Sequence, residues 1–157
     1  MKKIALSILT LIILSVVVTA QVEPHAIGVR LGGGNYGGGF EASYQHGFGD
    51  ANRLELDLGL NSQNSASYTS IAGIYQWVWA IEQGFNWYAG PGAQLFLYSG
   101  GNVMGIGGDI GIEYNFNEEL DTPLLISIDT RPMFNLHYYS GGDRMGWAIA
   151  LSIRYTF

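Results

Sequence analysis

The sequence predicts an all-β protein, a closed eight-stranded antiparallel up-and-down transmembrane β-barrel, from three observations. Apolar and polar residues alternate with a period of two along eight segments. One face of these segments carries no charged residue, whereas the opposite face carries four arginines and six acids. The segments follow an N-terminal stretch that is typical of an export signal.

Composition excludes several other classes of protein. The 157 residues fit one domain, and the absence of Cys excludes a disulfide scaffold, a zinc finger, a Cys nucleophile and a lipidated Cys. Seven Lys and Arg stand against 13 Asp and Glu, a net charge of -6, which argues against nucleic acid as a partner. Charged residues make up 13% of the chain, about half the usual share.

Residues 1–20 are predicted to be a cleaved signal peptide. Lys2 and Lys3 precede an apolar run over residues 4–18, and small residues lead to Ala20. The alternative is an uncleaved anchor, but the run is short of the ~20 residues that span a bilayer as a helix. Cleavage near Ala20 leaves one barrel domain, residues 21–157, with five arginines against 13 acids and no Lys.

The alternation is clearest in residues 53–60, where Leu54, Leu56 and Leu58 share one face and Glu55 and Asp57 share the other. A strand separates these faces, whereas a helix would mix them. Connections rich in Gly, Asn, Asp and Ser divide the chain into segments. The eight predicted strands cover residues 25–33, 38–48, 53–61, 67–80, 84–98, 103–116, 123–139 and 144–157.

The apolar face is predicted to face lipid, because aromatic residues cluster at one end of the strands, where a membrane barrel has an interfacial girdle. A thinner belt toward the other rim is expected from Tyr44, Tyr138 and Trp147. The alternative is a soluble ligand-binding barrel with its apolar face inside. The main girdle is predicted to include Trp77, Trp79, Phe85, Trp87, Tyr114 and Phe116.

The last nine residues alternate apolar and polar side chains and end in Tyr155-Thr156-Phe157. With the signal peptide and the strands, this ending resembles small eight-stranded outer-membrane barrels of the OmpA/OmpX type, across residues 25–157. The resemblance implies residence among outer-membrane lipids. It also implies that Tyr155 and Phe157 act as the insertion signal that periplasmic chaperones and the barrel-assembly machinery recognise.

Ten charged residues are predicted to face the lumen, which in an eight-stranded barrel is just wide enough for side chains to fill. Because an unpaired buried charge is costly, we expect arginine–carboxylate pairs that plug the barrel. The alternatives are a narrow cation-preferring path, favoured by the surplus of acids, and a ligand site. The ten residues are Arg30, Glu41, Arg53, Glu55, Asp57, Asp109, Glu113, Asp129, Arg131 and Arg154.

The expected role is structural or surface interaction, with no cofactor and no catalysis; an extracellular ligand stays unknown. Candidates for a lipid-modifying enzyme are His137, Ser140 and Asp143, but Ser is common in such turns and His137 falls on the lumen parity. His25 and His46 are interpreted as isolated, so no metal site is expected. Surface contacts could involve tyrosines near the outer loops, namely Tyr36, Tyr68, Tyr98 and Tyr139.

Two prolines, Pro91 and Pro132, lie inside predicted strands. Proline cannot donate a ladder hydrogen bond, and a closed barrel has no edge to accommodate it. The sequence therefore predicts β-bulges at both positions.

Overall fold

A computed structural model describes residues 22–35, 37–63, 66–136 and 144–157, which form a closed barrel of eight antiparallel strands. Six barrel strands are continuous, and the last two are each divided into two segments. One helical turn, α1 (Asn117–Leu120), lies between β6 and β7. The segments are β1 (His25–Gly34), β2 (Gly37–Gly47), β3 (Asn52–Gln63), β4 (Ala66–Glu82), β5 (Phe85–Tyr98), β6 (Gly101–Asn115), β7 (Leu124–Thr130), β8 (Met133–Asn135), β9 (Met145–Gly146) and β10 (Ala148–Thr156).

Each barrel strand pairs with its neighbours in sequence. β7 and β8 together form the seventh strand along β6, and β9 and β10 form the eighth. The barrel closes where β1 pairs with β10, from Ala26 opposite Thr156 to Gly34 opposite Ala148. The predicted closed, eight-stranded antiparallel up-and-down barrel is thereby confirmed, and the eight predicted segments correspond in order to the eight barrel strands.

The connections lie at two rims. At the loop rim lie the ends of β1, β3, β5 and β8, the starts of β2, β4, β6 and β9, and residues 99–100, and the terminal rim carries residues 22–24, the other connections and Phe157. The β4–β5 connection at the terminal rim is two residues long, and Gly84 there has φ +73°. Only glycine adopts that left-handed backbone at no steric cost, which explains its place in this tight turn.

The predicted bulges at the two prolines are wrong. Pro91 lies opposite Gly108 in an unbroken register, and the pairing of β6 keeps the same register on both sides of Pro132. Pro132 loses only its donor, because its carbonyl oxygen still accepts a hydrogen bond from the Gly108 amide at 3.1 Å. The register shift between β4 and β5 lies instead between Ala80 and Glu82, next to the terminal rim.

The alternation of the sequence becomes a division between lumen and exterior. In β3, Leu56 and Leu58 are 47% and 54% exposed on the outside, whereas Glu55 and Asp57 are buried inside. Between the rims, the outward positions of the described strands carry no charged side chain. Among the described residues, no helix has the length and apolarity needed to cross a membrane.

Candidate functional site

The lumen contains all ten charged residues that the sequence assigns to it, and each is at most 6% exposed. They come from β1, β2, β3, β6, β7 and β10 and from the link between β7 and β8. Four arginines against six acids give the lumen a formal charge of -2. Ion pairs of 2.5–3.7 Å involve all ten residues.

Arg131 lies at the centre of this network. It is 2% exposed, and its guanidinium contacts four carboxylates that reach it from three strands. Because the guanidinium group is planar with five N–H donors, it can serve several carboxylates at once, which a lysine ammonium does less well. The distances are 2.8 Å to Glu55, 2.9 Å to Asp57, 3.5 Å to Asp109 and 3.7 Å to Glu41.

Arg30 extends the network around the barrel wall. Its Nη1 lies 2.6 Å from Glu41 on the neighbouring β2, and its Nη2 lies 2.5 Å from Asp129 on β7. Its Nε donates a second, longer hydrogen bond to Asp129 at 3.3 Å. The pair with Asp129 is therefore bidentate, the stronger form of arginine–carboxylate contact.

Arg154 donates hydrogen bonds to two serine hydroxyls and to one carboxylate. Its Nε donates to Ser43 at 3.0 Å, its Nη1 donates to Ser127 at 2.9 Å, and its Nη2 lies 3.0 Å from Glu55. Glu55 is thus shared by Arg131 and Arg154, and it also accepts a hydrogen bond from the Gln45 amide at 2.6 Å. These contacts satisfy a carboxylate that has no exposed surface.

The fourth arginine, Arg53, forms a separate group nearer the terminal rim. It pairs with Glu113 at 2.7 Å, and its guanidinium carbon lies 4.7 Å from the ring centroid of Tyr88. Its Nε donates to the Gln76 side-chain oxygen at 2.6 Å, and the Gln76 amide donates to Asp109 at 2.9 Å. Gln76 therefore joins the Arg53 group to the central network.

Sequence reasoning missed Gln76 and Tyr88, although strand parity could have found both. Gln76 lies on the lumen parity of β4 together with Ile74 and Val78, which are buried inside the barrel. Tyr88 is fully buried, and a Cβ on Gly111 would lie 2.6 Å from its ring. Gly111 thus provides the space that the Tyr88 ring occupies.

Apolar side chains fill much of the lumen nearer the rims. Tyr68, Phe96 and Met133 are buried toward the loop rim, where a cavity of about 30 Å³ remains, lined in part by Arg30 and Glu41. That volume has room for about two water molecules. The prediction that Tyr68 lies exposed near a loop tip is therefore wrong, because its parity turns the ring into the lumen.

The predicted main girdle residues lie near the terminal rim. Trp79 and Trp87 stack at 4.2 Å between ring centroids, and Tyr114 and Phe116 meet edge to face at 4.7 Å. The Tyr114 hydroxyl also hydrogen-bonds Glu119. Trp77 is 43% exposed and contacts Tyr75, and Phe85 lies opposite Tyr114 at the start of β5.

The second belt differs from the prediction. Tyr44 lies nearer the terminal rim than the loop rim, since it pairs with Ile27 and its hydroxyl contacts His25. Trp147 lies at the loop rim and is 46% exposed. The strand that ends the chain presents Tyr155 and Phe157 outward, 56% and 58% exposed, with their rings stacked at 6.2 Å.

The two histidines that the sequence suggested were isolated lie together. His25 and His46 are opposite each other on β1 and β2, with their Nδ1 atoms 3.3 Å apart. The described residues contain no group of three or more His, Cys, Asp or Glu side chains placed to hold a metal ion. Several predictions concern residues outside the described ranges: the predicted signal peptide, the enzyme candidates His137, Ser140 and Asp143, and the tyrosines Tyr36, Tyr138 and Tyr139.

Comparisons with known proteins give a structural match. No protein-family model and no curated protein matches the chain. Among solved structures, the crystal structure of Neisserial surface protein A (NspA) is similar, with a TM-score of 0.60 and 14% sequence identity over 85% of this chain and 95% of that one. The similarity supports the barrel fold, which this chain shares with a surface protein of Neisseria.

Proposed function

We propose that this chain is an integral outer-membrane β-barrel whose lumen is plugged by its own side chains, with a structural or surface-interaction role. The observation that carries the proposal is the polarity of the wall. Ten charged side chains are buried in the lumen, while the outward positions between the rims carry mainly apolar residues and, in the described strands, no charged one. A barrel in water has the opposite arrangement, and a barrel in lipid has this one.

The dimensions of the strands agree with a membrane location. A tilted transmembrane strand needs about 9–11 residues, and the six continuous strands have 10 to 17. Closure of the barrel leaves no sheet edge, so the wall can satisfy its backbone groups without water. The aromatic residues near the terminal rim lie where side chains that prefer the membrane–water interface belong.

The packing of the lumen supports a plugged barrel. The network links side chains from strands around the wall, and tyrosine, phenylalanine and methionine side chains fill space toward the loop rim. A narrow cation-preferring pore is the second candidate, because the lumen has a formal charge of -2. The cavity of about 30 Å³ favours the plug over an open path for hydrated ions.

Biogenesis follows from the same proposal. Export would end with cleavage near Ala20, and periplasmic chaperones and the assembly machinery would receive the unfolded barrel. β10 suits recognition because Ile153, Tyr155 and Phe157 form a continuous outward row, each about half exposed. No catalytic activity is part of the proposal.

Two experiments test the proposal. Cell fractionation should recover the folded chain in the outer membrane, with faster gel migration before boiling than after it. Recovery of folded protein in the soluble periplasmic fraction would refute the membrane location. Planar-bilayer recordings of the purified barrel should then show no discrete conductance steps, whereas regular cation-selective steps would replace the plug with the pore.

A further inference from the structure

Three side chains with metal-binding atoms meet on the outer wall near the terminal rim. His25 Nδ1 lies 3.3 Å from His46 Nδ1 and 2.9 Å from the Tyr44 hydroxyl oxygen. The closed hairpin of β1 and β2 places them there, because the same register sets His25 opposite His46 and Ile27 opposite Tyr44. The group belongs neither to the lumen network nor to the C-terminal strand.

Hydrogen bonding alone uses these atoms poorly. A neutral imidazole nitrogen is either a donor or an acceptor, yet His25 Nδ1 faces both another Nδ1 and a hydroxyl. His25 Nδ1 therefore has two hydrogen-bond partners for one donor or acceptor position, and its distance to His46 Nδ1 is long, at 3.3 Å. A single cation bound by the lone pairs of both imidazole nitrogens and by the Tyr44 oxygen would account for both distances.

The spacing suits a late first-row transition metal. Two imidazole nitrogens bound tetrahedrally to Zn²⁺ at 2.0–2.1 Å lie about 3.3 Å apart. At the same bond lengths, the 2.9 Å between His25 Nδ1 and the Tyr44 oxygen corresponds to a ligand–metal–ligand angle of about 90°. Imidazole is a ligand that Zn²⁺ and Cu²⁺ share, and Cu²⁺ binds such sites more tightly.

The surroundings hold the imidazoles in place. Phe157 stacks on His25 at 5.3 Å between ring centroids, and Phe48 meets His46 edge to face at 4.9 Å. The backbone amide of Phe157 also donates to the His25 carbonyl oxygen at 2.9 Å. These contacts fix the orientation of both imidazole rings. Both histidines are nevertheless partly exposed, which leaves a path for an ion to enter.

We infer that His25 and His46, with Tyr44 as a third ligand, form a binding site for one Zn²⁺ or Cu²⁺ ion on the outer wall at the terminal rim. The remaining coordination position would take water. A metal here joins β1 to β2 and orders the aromatic residues around the end of β10. The inference rests on the hairpin geometry and does not depend on the proposed function.

The test measures metal binding to the folded mature barrel, without an affinity tag, in micelles of a non-chelating detergent. Equilibrium dialysis against Zn²⁺ alone should give one ion per chain. His25→Gln and His46→Gln should each weaken binding at least about tenfold, since each removes a direct ligand. His137→Gln is the matched control, because it removes the third histidine of the sequence, and it should bind Zn²⁺ as the parent does.

Two further measurements separate ligand loss from misfolding and test the third ligand. On the unaltered barrel, Zn²⁺ should protect His25 and His46, and not His137, from diethyl pyrocarbonate labelling read by mass spectrometry. With Cu²⁺, a visible phenolate-to-copper absorption band should disappear in Tyr44→Phe. Stoichiometric binding that persists in a folded His25→Gln/His46→Gln variant, or no protection of the unaltered chain, would overturn the site.

Discussion

Arg131→Met is the substitution that most directly tests whether the lumen network stabilises the barrel. Methionine keeps much of the length of the side chain but removes the cation that four carboxylates share. The lumen charge then changes from -2 to -3. Removing one partner from a buried ion pair costs about 3–5 kcal/mol, because the other charge stays buried.

Two carboxylates lose their arginine in Arg131→Met, and one of the two keeps a hydrogen-bond donor. Within the described part of the chain, Asp57 and Asp109 each form an ion pair with Arg131 and with no other arginine, but Asp109 also accepts a hydrogen bond from the Gln76 amide. The cost of Arg131→Met should therefore come mainly from Asp57. The other three acids keep a partner: Arg154 at 3.0 Å for Glu55, Arg30 at 2.6 Å for Glu41, and the Gln76 amide at 2.9 Å for Asp109.

This assignment makes the double variant informative. Asp57→Asn in the Arg131→Met background removes the unpaired charge and restores the lumen charge to -2. We expect it to recover most of the loss, leaving a deficit of about 1–2 kcal/mol from the missing hydrogen bonds. Urea unfolding in lipid vesicles, followed by tryptophan fluorescence and heat-modifiable migration, measures both free energies of unfolding.

Arg144→Met provides the control, because Arg144 is exposed at the loop rim, where contacts of a charged side chain contribute at most about 1 kcal/mol to the free energy of unfolding. A loss below about 1 kcal/mol in Arg131→Met would refute the view that the network stabilises the fold. An equal loss with and without Asp57→Asn would refute the assignment of that cost to Asp57.

Three further substitutions test the wall and the end of the chain. Leu58→Lys should cost about 2–4 kcal/mol in urea titrations in lipid, whereas an exposed leucine on a barrel in water would tolerate lysine within about 0.5 kcal/mol. Gly111→Ala should lower the urea midpoint, because its Cβ would lie 2.6 Å from the Tyr88 ring and 2.7 Å from the Ile128 carbonyl oxygen. Tyr88→Phe/Gly111→Ala should not restore the midpoint, since the ring and that carbonyl remain. Phe157→Ala should reduce outer-membrane assembly in pulse-chase fractionation, with refolding in detergent unchanged; unchanged assembly would contradict the role of Phe157 as a recognition residue.

Strand parity explains how much of this protein could be predicted from sequence. Where apolar and charged residues alternate strictly, as from Leu54 to Leu58, the sequence specifies both the strand and the side that each residue faces. In β4 and β5 this rule weakens, because apolar residues occupy both faces. Tyr68, Tyr88 and Phe96 consequently lie in the lumen, although aromatic side chains are also typical of the exterior.

Contacts between strands were less predictable because they depend on register. The register that pairs Gly34 with Gly37 also places His25 opposite His46 and Arg30 opposite Glu41, so the pairing of these two glycines would have predicted both pairs. The contact between Arg30 and Asp129 is harder to foresee. It crosses from β1 to β7 with β10 between them, and it depends on how the wall curves when the barrel closes.

The charged lumen also explains why one register is selected. Because side chains alternate along each strand, a slip by one residue would turn the lumen residues of that strand outward, which in the proposed membrane location is toward lipid. For β3, such a slip would turn Arg53, Glu55 and Asp57 outward at once, and a charged side chain on a lipid-facing wall is destabilising, most of all near the middle of the bilayer. A lumen of apolar residues could pack as well but would impose no such penalty on the wrong register. If the barrel lies in a membrane as proposed, the buried ion pairs therefore contribute to specificity beyond their net effect on stability, since the charges that are paired inside the barrel would be unpaired in lipid outside it.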